Sequence, residues 1–302
     1  LSAARPGEGN MNYTLRIQTN TRSFILKQSR GYVEKYPSIA APRDRALTEG
    51  HFYGLVRAYE DLRSYMPELY HSDTENALLM IEDLGESSDF TSLYQPGNHL
   101  QEAEIEALMA YLSLLHEKIT LETVPAGLPN RAMRALNAEH IFHHPLMEDN
   151  GFSLDTVTPG LQQIAMRYKT DAALKSKVAE LGNLYLTDGS TLLHGDYYPG
   201  SWLRTTRGVQ VIDPEFCFFG PPEFDLSVAV AHMMMALQPE EATDSLLKHY
   251  RQPAGFDERL LMQLAGVEII RRLIGLAQLP LSLNLEEKSA LLEEAVALVL
   301  QA

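Results

Sequence analysis

The sequence predicts an α+β protein of two lobes, in which a small β-rich lobe precedes a larger, mainly helical one. Near the start, 13–19 and 23–28 are β-rich runs separated by three polar residues, a pattern typical of a hairpin. Beyond Gly85, apolar residues recur at helical spacing for most of the chain. We therefore expect a boundary there, with an N-terminal lobe of residues 1–85 and a C-terminal lobe of residues 86–302.

Two further elements complete the predicted small lobe. Residues 43–62 carry Leu47, Phe52 and Val56 at roughly helical spacing, which indicates an amphipathic helix. Residues 76–85, NALLMIEDLG, form an apolar run that ends in two acids and a glycine, which indicates a buried strand. The order strand, strand, helix, strand is that of a small α+β unit.

The large lobe is predicted to hold helices with three short strands embedded among them. The strands are expected at 191–194, 201–205 and 209–213, and a Thr-Arg-Gly turn joins the last two. The histidines of HIFHH are followed by a proline and are expected in a surface turn. Helices are predicted at 102–119, 159–185, 240–250, 257–279 and 285–301.

Composition restricts the class of function. With 45% hydrophobic and 22% charged residues and no long apolar run, the 302-residue chain is expected to be globular, without a membrane span or a secretory signal. Its net charge of −15 argues against a nucleic-acid partner. Cys217 is the one cysteine in the sequence, which excludes an internal disulfide and favours a reducing cytoplasm. The oligomeric state stays open, a homodimer included.

Three carboxylates flank the predicted hairpin of the large lobe. Asp196 precedes it, whereas Asp213 and Glu215 follow it, and a hairpin brings its two ends together. Carboxylates are the ligands that Mg²⁺ takes in addition to substrate phosphates, and a further acid could accept a hydroxyl proton. These residues therefore indicate a phosphoryl-transfer site, although each acid taken alone is equally typical of a turn.

The motifs around these acids resemble small-molecule kinases of the aminoglycoside and choline phosphotransferase superfamily, which have a protein-kinase-like fold. The stretch HGDYYPGS and the stretch DPEF are most similar to methylthioribose kinases, whose catalytic loop has Gly-Ser where relatives have Asn. Three further stretches resemble the same family: GEGNMNYTL at 7–15, FILKQSRGYV at 24–33 and IIRRLIGLA at 269–277.

The resemblance implies an ATP-dependent transfer of the γ-phosphoryl group to a hydroxyl, with Mg²⁺ as cofactor and a small molecule as acceptor. Asp196 is then the base that accepts the hydroxyl proton, or the acid that orients the hydroxyl. The Mg²⁺ ligands are Asp213 and Glu215, with Ser201 as a further candidate. Nucleotide contacts are expected from Gly7, Gly9, Asn10, Lys27, Glu49, Glu82, Asp83 and Leu84, and acceptor contacts from Arg271, Arg272, Trp202 and Tyr197.

Departures from the family pattern leave the acceptor open. Tyr197-Tyr198 stand where methylthioribose kinases have Leu-His, and the hinge MIEDLG is more similar to aminoglycoside kinases. Methylthioribose or a related sugar is the first expectation, and an aminoglycoside, choline or homoserine kinase is the alternative. Because Ser201 replaces the usual Asn, a nucleotide-binding pseudokinase without catalysis is a further alternative.

Overall fold

The computed structural model describes residues 1–7, 11–128 and 130–301, and in it a β-rich N-terminal part is followed by a mainly helical C-terminal part. The predicted α+β class is thereby confirmed. Numbered in chain order, the strands are β1 (Ser2–Ala4), β2 (Tyr13–Gln18), β3 (Ser23–Gln28), β4 (Tyr32–Val33), β5 (Tyr36–Ala40), β6 (Leu69–Asp73), β7 (Leu78–Glu82), β8 (Ser87–Asp89), β9 (Thr191–Leu193), β10 (Trp202–Thr205), β11 (Gly208–Val211) and β12 (Phe218–Gly220). The α-helices are α1 (Arg45–Val56), α2 (Glu60–Arg63), α3 (Glu102–Lys118), α4 (Arg131–Ala138), α5 (Leu161–Lys169), α6 (Ala172–Tyr185), α7 (Glu223–Met235), α8 (Glu240–His249), α9 (Glu258–Ile274) and α10 (Leu285–Leu300).

The N-terminal sheet has five antiparallel strands in the order β1-β2-β3-β7-β6. Its strands β2 and β3, each six residues long, form the predicted hairpin. The hydroxyl of Thr19 closes the turn by accepting the backbone N–H of Arg22 at 3.0 Å. On the other side of β3, Lys27 pairs with Leu79 of β7, so the lysine lies on a central strand.

Helix α1 packs its apolar side on this sheet. Phe52 and Val56 of the helix and Leu79 of β7 are buried in one hydrophobic cluster. The helix approaches the sheet closely at Gly50, where an added Cβ would lie 3.0 Å from the Leu79 side chain. This packing holds Glu49, which is fully buried, against the strand that carries the lysine.

Helix α7 lies at the centre of the C-terminal part, and almost all of its residues are buried. It packs along α9, which in turn packs along α10. A helix that is apolar on all sides can satisfy its surface only inside a core. The few polar side chains of α7 and α9 are therefore held in the interior, where each requires a polar partner. Among the described residues, no helix combines the length and the hydropathy that a membrane crossing requires.

The short strands of the C-terminal part position the two acidic loops. Strands β10 and β11 form the predicted hairpin, and β9 pairs with β12. The loop before the hairpin carries Asp196 and the loop after it carries Asp213. A bond of 2.9 Å from the Ile212 N–H to the Ser201 carbonyl joins the two loops. Strand β8 also pairs with β10, so the chain just beyond Gly85 is tied to this hairpin; the lobe division at that residue stays a prediction.

Three predicted elements differ from the structure. The expected helix 43–62 is interrupted after Val56, and a separate short helix, α2, begins at Glu60. The expected helix 159–185 is divided into α5 and α6, because the Asp171 side chain accepts the Leu174 N–H at 3.0 Å and caps a new helix. The HIFHH histidines do not form a surface turn, since Glu139–His143 continue α4 as a π-helical turn that buries Ile141 and Phe142. The apolar positions of such a turn do not follow the α-helical period, so the sequence pattern missed it.

The contact between α9 and α10 predicts opposite effects for two glycine substitutions. A Cβ at Gly266 would lie 2.5 Å from the Ala295 carbonyl oxygen, whereas Gly54 has open space around it in an exposed turn of α1. We expect Gly266→Ala to lower the free energy of unfolding by about 1–3 kcal/mol through overpacking. Gly54→Ala should raise it by about 0.5–1 kcal/mol, because alanine loses less backbone entropy. Urea unfolding measures both, and equal effects of the two variants would contradict the described helix packing.

Candidate active site

The loop that carries Asp196 is fixed by a buried carboxylate of α7. Asp225 accepts the backbone N–H of His194 at 2.6 Å and that of Gly195 at 2.9 Å. Gly195 has φ +86°, and a Cβ there would lie 2.2 Å from the Phe216 carbonyl oxygen, so only glycine fits. The loop is therefore held in one conformation, with Asp196 directly after the bend.

Two histidines complete this support. His194 donates its Nε2–H to the Ile212 carbonyl at 3.0 Å, and burial lowers the pKa of this imidazole. Behind the loop, His116 lies 3.3 Å from Asp225 and 2.8 Å from the Tyr250 hydroxyl. His194 thus braces the loop and links it to the strand end that precedes Asp213.

Asp196 faces two buried arginines of α9. The Nη2 atoms of Arg271 and Arg272 lie 3.4 and 3.3 Å from the same oxygen, Oδ1. Among the described residues, no hydrogen bond or ion pair reaches Oδ2. Burial raises the pKa of Asp196, while the two guanidiniums oppose that shift. The carboxylate is thus held on one side and can accept a proton on the other.

Glu268, one turn earlier in α9, holds both arginines. Its Oε2 lies 2.9 Å from Arg271 Nε, and its Oε1 accepts Arg272 Nε–H at 2.8 Å. Burial alone would raise the pKa of Glu268, but the two guanidiniums outweigh it and keep the pKa below the ordinary value. The charges balance, because the two guanidiniums face two carboxylates, those of Glu268 and Asp196.

A second acidic cluster lies at the end of the hairpin. Glu215 is buried, and its Oε2 accepts the Asn12 side-chain amide at 2.9 Å and lies 3.4 Å from Arg45 Nε. Burial, together with Asp213, raises the pKa of Glu215 to about 8. The Asp213 side chain is 44% exposed, and its backbone has φ +68°, a left-handed conformation in which aspartate is among the more frequent non-glycine residues. One acid is thus anchored in the interior and the other reaches the open side.

Lys27 joins this cluster to α1. Its Nζ lies 2.6 Å from Glu49 Oε2 and also contacts the Asp213 carboxylate. Burial would lower the pKa of Lys27, but the surrounding acids outweigh it and raise the pKa well above the ordinary value. Burial raises the pKa of Glu49 to about 7, against the pull of Lys27. The structure thus brings together Lys27, Glu49, Asp213 and Glu215, as the sequence predicted.

The other residues predicted to contact the nucleotide do not belong to this cluster. Gly9 and Asn10 lie outside the described residues, and Gly7 is an exposed residue just before them. Glu82 at the end of β7 contacts Arg207 at 3.1 Å, and Asp83 lies 3.0 Å from Arg16. Leu84 follows at the point where the chain leaves the sheet.

Ser201 braces the loop that carries Asp196. Its hydroxyl donates to the Asp196 carbonyl at 2.9 Å, and the residue is buried. The donated proton leaves the lone pairs of the oxygen free to accept or to ligate. The serine therefore stabilises the Asp196 loop whether or not it also contacts a metal.

The prediction that Tyr197 and Trp202 line the acceptor pocket is wrong. Both are fully buried: the Tyr197 hydroxyl donates to the Leu108 carbonyl at 2.8 Å, and Trp202 packs on Phe90 and Tyr197. The neighbouring Tyr198 lines the cleft instead. Sequence adjacency could not tell which of the two tyrosines turns inward.

Asp196 opens into a cleft of about 900 Å³, part of which is open to solvent. One wall comes from the β4–β5 hairpin of the N-terminal part, and the other comes from α4, the π-helical turn and the segment after α9. Its charged lining residues are Lys35, Asp196, Arg271 and Arg272. Its apolar lining includes Met11, Val33, Ile39, Leu136, Phe216, Leu276 and Leu279.

Sequence reasoning missed several residues that shape the site. Arg45 is fully buried and donates to four backbone carbonyls as well as to Asn12. Asn130 donates to the carbonyls of Glu215 and Cys217 at 2.9 Å each. His140, expected in a surface turn, lines the cleft. Nothing in the local sequence distinguishes these side chains from solvated ones, because their partners are distant along the chain.

Comparison with known proteins places the chain in a family. It matches the model described as "Phosphotransferase enzyme family" over residues 2–261. It is 28% identical to the methylthioribose kinase of Exiguobacterium sibiricum, over 92% of this chain and 80% of that protein. It is 30% identical to a methylthioribose kinase of Bacillus cereus, over 80% of this chain but only 62% of that protein.

Two solved structures share the fold. The choline kinase LicA from Streptococcus pneumoniae aligns with a TM-score of 0.56 at 14% identity, over 99% of this chain and 93% of that one. An ADP-bound aminoglycoside phosphotransferase aligns with a TM-score of 0.53 at 13% identity, over 100% of this chain and 95% of that one. The predicted two-lobed kinase-like fold is therefore confirmed.

Because the family model spans most of the sequence, the chain belongs to the phosphotransferase enzyme family. It is an ATP-dependent phosphotransferase that acts on a hydroxyl group, as the motifs around Asp196 and Asp213 predicted.

The Lys27–Glu49 pair predicts strong coupling in a double-mutant cycle. Lys27→Met leaves Glu49 buried without its cation, so we expect a loss of about 3–5 kcal/mol in the free energy of unfolding. Adding Glu49→Gln should recover part of that loss, with a coupling of about 1–3 kcal/mol. Urea unfolding of the two single variants and the double variant measures it.

Glu60 and Arg63 provide the control cycle, since they form an ion pair at 3.7 Å whose side chains are largely exposed. Their coupling should be close to zero because solvent screens the pair. Equal coupling in the two cycles would contradict a buried pair at Lys27.

Proposed function

We propose that this enzyme uses ATP and Mg²⁺ to phosphorylate a hydroxyl of a neutral small molecule, with methylthioribose or a related sugar as the first candidate. One observation carries the proposal. Asp196 lines a cleft, and two arginines hold its Oδ1 while Oδ2 has no partner among the described residues. A carboxylate so held can orient a hydroxyl and accept its proton.

In the proposed reaction, Asp196 acts on the acceptor. The hydroxyl donates to Oδ2, its oxygen attacks the γ-phosphorus, and the bond from that phosphorus to the departing ADP breaks. The hydroxyl proton passes to the carboxylate. Arg271 and Arg272 favour the ionised form of Asp196 before the transfer, and both side chains line the cleft, where guanidinium N–H groups can donate to acceptor hydroxyls.

The second acidic cluster is proposed to hold the metal. Glu49, Asp213 and Glu215 carry three negative charges when ionised, against two positive charges on Lys27 and Arg45. An excess of carboxylate oxygen suits a hard divalent cation, so the residues fit Mg²⁺. Asp213 and Glu215 are the proposed ligands, with the Ser201 hydroxyl as a further one. Bound Mg²⁺ neutralises phosphate charge during transfer.

The remaining nucleotide contacts are proposed from where their residues lie in the fold. Lys27 pairs with the phosphates while Glu49 orients it, as in protein kinases. Gly7, Gly9 and Asn10 precede β2 and are proposed to cover the phosphates with backbone amides. Glu82, Asp83 and Leu84 lie where the chain passes from β7 to the C-terminal part, the place at which the adenine edge is proposed to bond.

The charge of the cleft favours a neutral acceptor. Its lining holds three full cations, Lys35, Arg271 and Arg272, against Asp196, and Glu268 balances one more of them, so one positive charge remains in excess. Choline and the polycationic aminoglycosides would meet this excess positive charge in the cleft, which disfavours their binding. A polyol meets no such penalty and can accept hydrogen bonds from the guanidiniums.

The apolar lining favours an acceptor with an apolar substituent. Val33 and Ile39 of the β4–β5 hairpin lie on one side of the cleft, and Leu136, Leu276 and Leu279 on the other. Burying a methylthio group there stabilises binding, at about 25 cal/mol per Å² of apolar surface. The relatives named methylthioribose kinase agree with this chemistry.

The charge and the cysteine content of the chain support proposals for its partners and its location in the cell. The net charge of −15 disfavours nucleic acid. The single cysteine, Cys217, is buried, so nothing in the chain depends on an oxidising compartment, and we propose the cytoplasm, where ATP is available.

A panel of acceptors tests the proposal. ATP consumption is measured with methylthioribose, other pentoses, choline, homoserine and aminoglycosides, for the wild type and for Asp196→Asn. We expect turnover of a neutral sugar, and a loss of about 100- to 10,000-fold in kcat in the variant, because asparagine cannot accept the proton. Nucleotide affinity should not change.

Asp244→Asn is the matched control, since it removes one exposed carboxylate on α8. Its kcat should equal that of the wild type. Undiminished turnover in Asp196→Asn would contradict the role of Asp196, and turnover of choline or aminoglycosides alone would contradict a neutral acceptor.

A further inference from the structure

A chain of buried polar side chains runs from Tyr94 through His232 of α7 to the arginines that hold Asp196. The Tyr94 hydroxyl lies 2.6 Å from His232 Nδ1, and His232 Nε2 lies 3.1 Å from Glu268 Oε1. The same carboxylate contacts Arg271 and Arg272 through its two oxygens. All five residues are at most 6% exposed.

The partners define the tautomer of the imidazole. The Glu268 carboxylate can only accept, so His232 carries its proton on Nε2 and accepts the Tyr94 hydroxyl at Nδ1. Burial lowers the pKa of His232 to about 4, which agrees with a neutral ring. Every hydrogen-bonding atom of the ring is thus used, and its orientation is fixed.

An aromatic side chain closes the same assembly. The Tyr198 ring centroid lies 5.2 Å from that of His232, and the Arg272 guanidinium lies over the Tyr198 ring, 4.9 Å from its centroid. Tyr198 belongs to the Asp196 loop, so the loop, α7 and α9 meet at this point. A shift of His232 would therefore be transmitted to both Glu268 and the loop.

We propose that His232 and Tyr94 are positioning residues: they fix Glu268 so that both guanidiniums converge on Oδ1 of Asp196 and leave Oδ2 free for the acceptor hydroxyl. The inference rests on the proposed role of Asp196 as the group that accepts the hydroxyl proton. His232 touches no reacting atom, since it acts through Glu268 and Arg272.

The hydrogen bonds of His232 explain why a polar residue occupies this position of α7. The neighbouring positions of α7, from Val228 to Met235, are otherwise apolar, and all of them except Met234 are buried. An imidazole placed among them is costly unless both nitrogens are bonded, whereas a leucine of similar size would pack without that requirement. The residue type is therefore accounted for by the bond to Glu268 rather than by packing.

Two variants test the inference, with the panel acceptor that the wild type turns over. His232→Leu removes the donor to Glu268 and should lower kcat on the order of 100-fold, the effect of displacing a catalytic group by about 1 Å. Tyr94→Phe removes only the bond to Nδ1 and should lower kcat about fivefold. The KM for ATP should not change, because the nucleotide cluster is separate.

The control variants separate positioning from stability. His232→Gln keeps an N–H that can reach Glu268 and should recover most of the kcat lost in His232→Leu. Tyr168→Phe removes another buried tyrosine hydroxyl, one without a partner in the described part of the chain, and should leave kcat unchanged. A wild-type kcat in His232→Leu, or a KM for ATP that rises as kcat falls, would overturn the inference.

Two further readouts keep the test decisive. If His232→Leu does not fold, the comparison of Tyr94→Phe with Tyr168→Phe decides, and equal kcat values overturn the inference. If the wild type phosphorylates no panel compound, the proposed function fails by itself. Crystal structures of the wild type and Tyr94→Phe then still test positioning: a longer Arg272 Nη2–Asp196 Oδ1 distance supports it, and an unchanged distance overturns it.

Discussion

The buried carboxylate of Glu268, shared between Arg271 and Arg272, is the interaction on which the proposed site depends most. Placing two guanidiniums in the interior costs free energy that ion pairing in a protein often only offsets. An apolar helix would have packed between α7 and α10 without that cost. The arrangement is therefore better understood as a device that holds Asp196 than as a source of stability.

The two acidic clusters differ in charge balance, and the difference separates their proposed tasks. On the acceptor side, Glu268 and Asp196 match two arginines, so these four side chains are balanced in charge before any ligand binds. On the nucleotide side, the acids outnumber the cations, and burial raises the pKa of Glu215 to about 8. A further cation would stabilise the cluster on the nucleotide side. The charges of the cluster on the acceptor side are already balanced, so it can bind a neutral hydroxyl without an added ion.

Much of the fold and part of the site could be predicted from sequence, for physical reasons that particular residues illustrate. The β2–β3 hairpin and the long helices follow from local periodicity, and Asp196, Asp213 and Lys27 stand in local motifs. Tyr197 and Trp202 were misplaced because the direction of a loop side chain depends on the core that surrounds it. The roles of Arg45 and His232 were not predicted because most of their bonding partners are distant in sequence. The burial of a polar side chain leaves no pattern in the residues around it.

The most direct test of the central claim is a crystal structure of the enzyme with a non-hydrolysable ATP analogue, Mn²⁺ in place of Mg²⁺, and methylthioribose. We expect an acceptor hydroxyl within hydrogen-bond distance of Asp196 Oδ2, in line with the γ-phosphorus, and a metal peak between Asp213 and Glu215. A sugar bound in the cleft with its hydroxyls directed away from Asp196, or a metal bound elsewhere, would contradict this expectation.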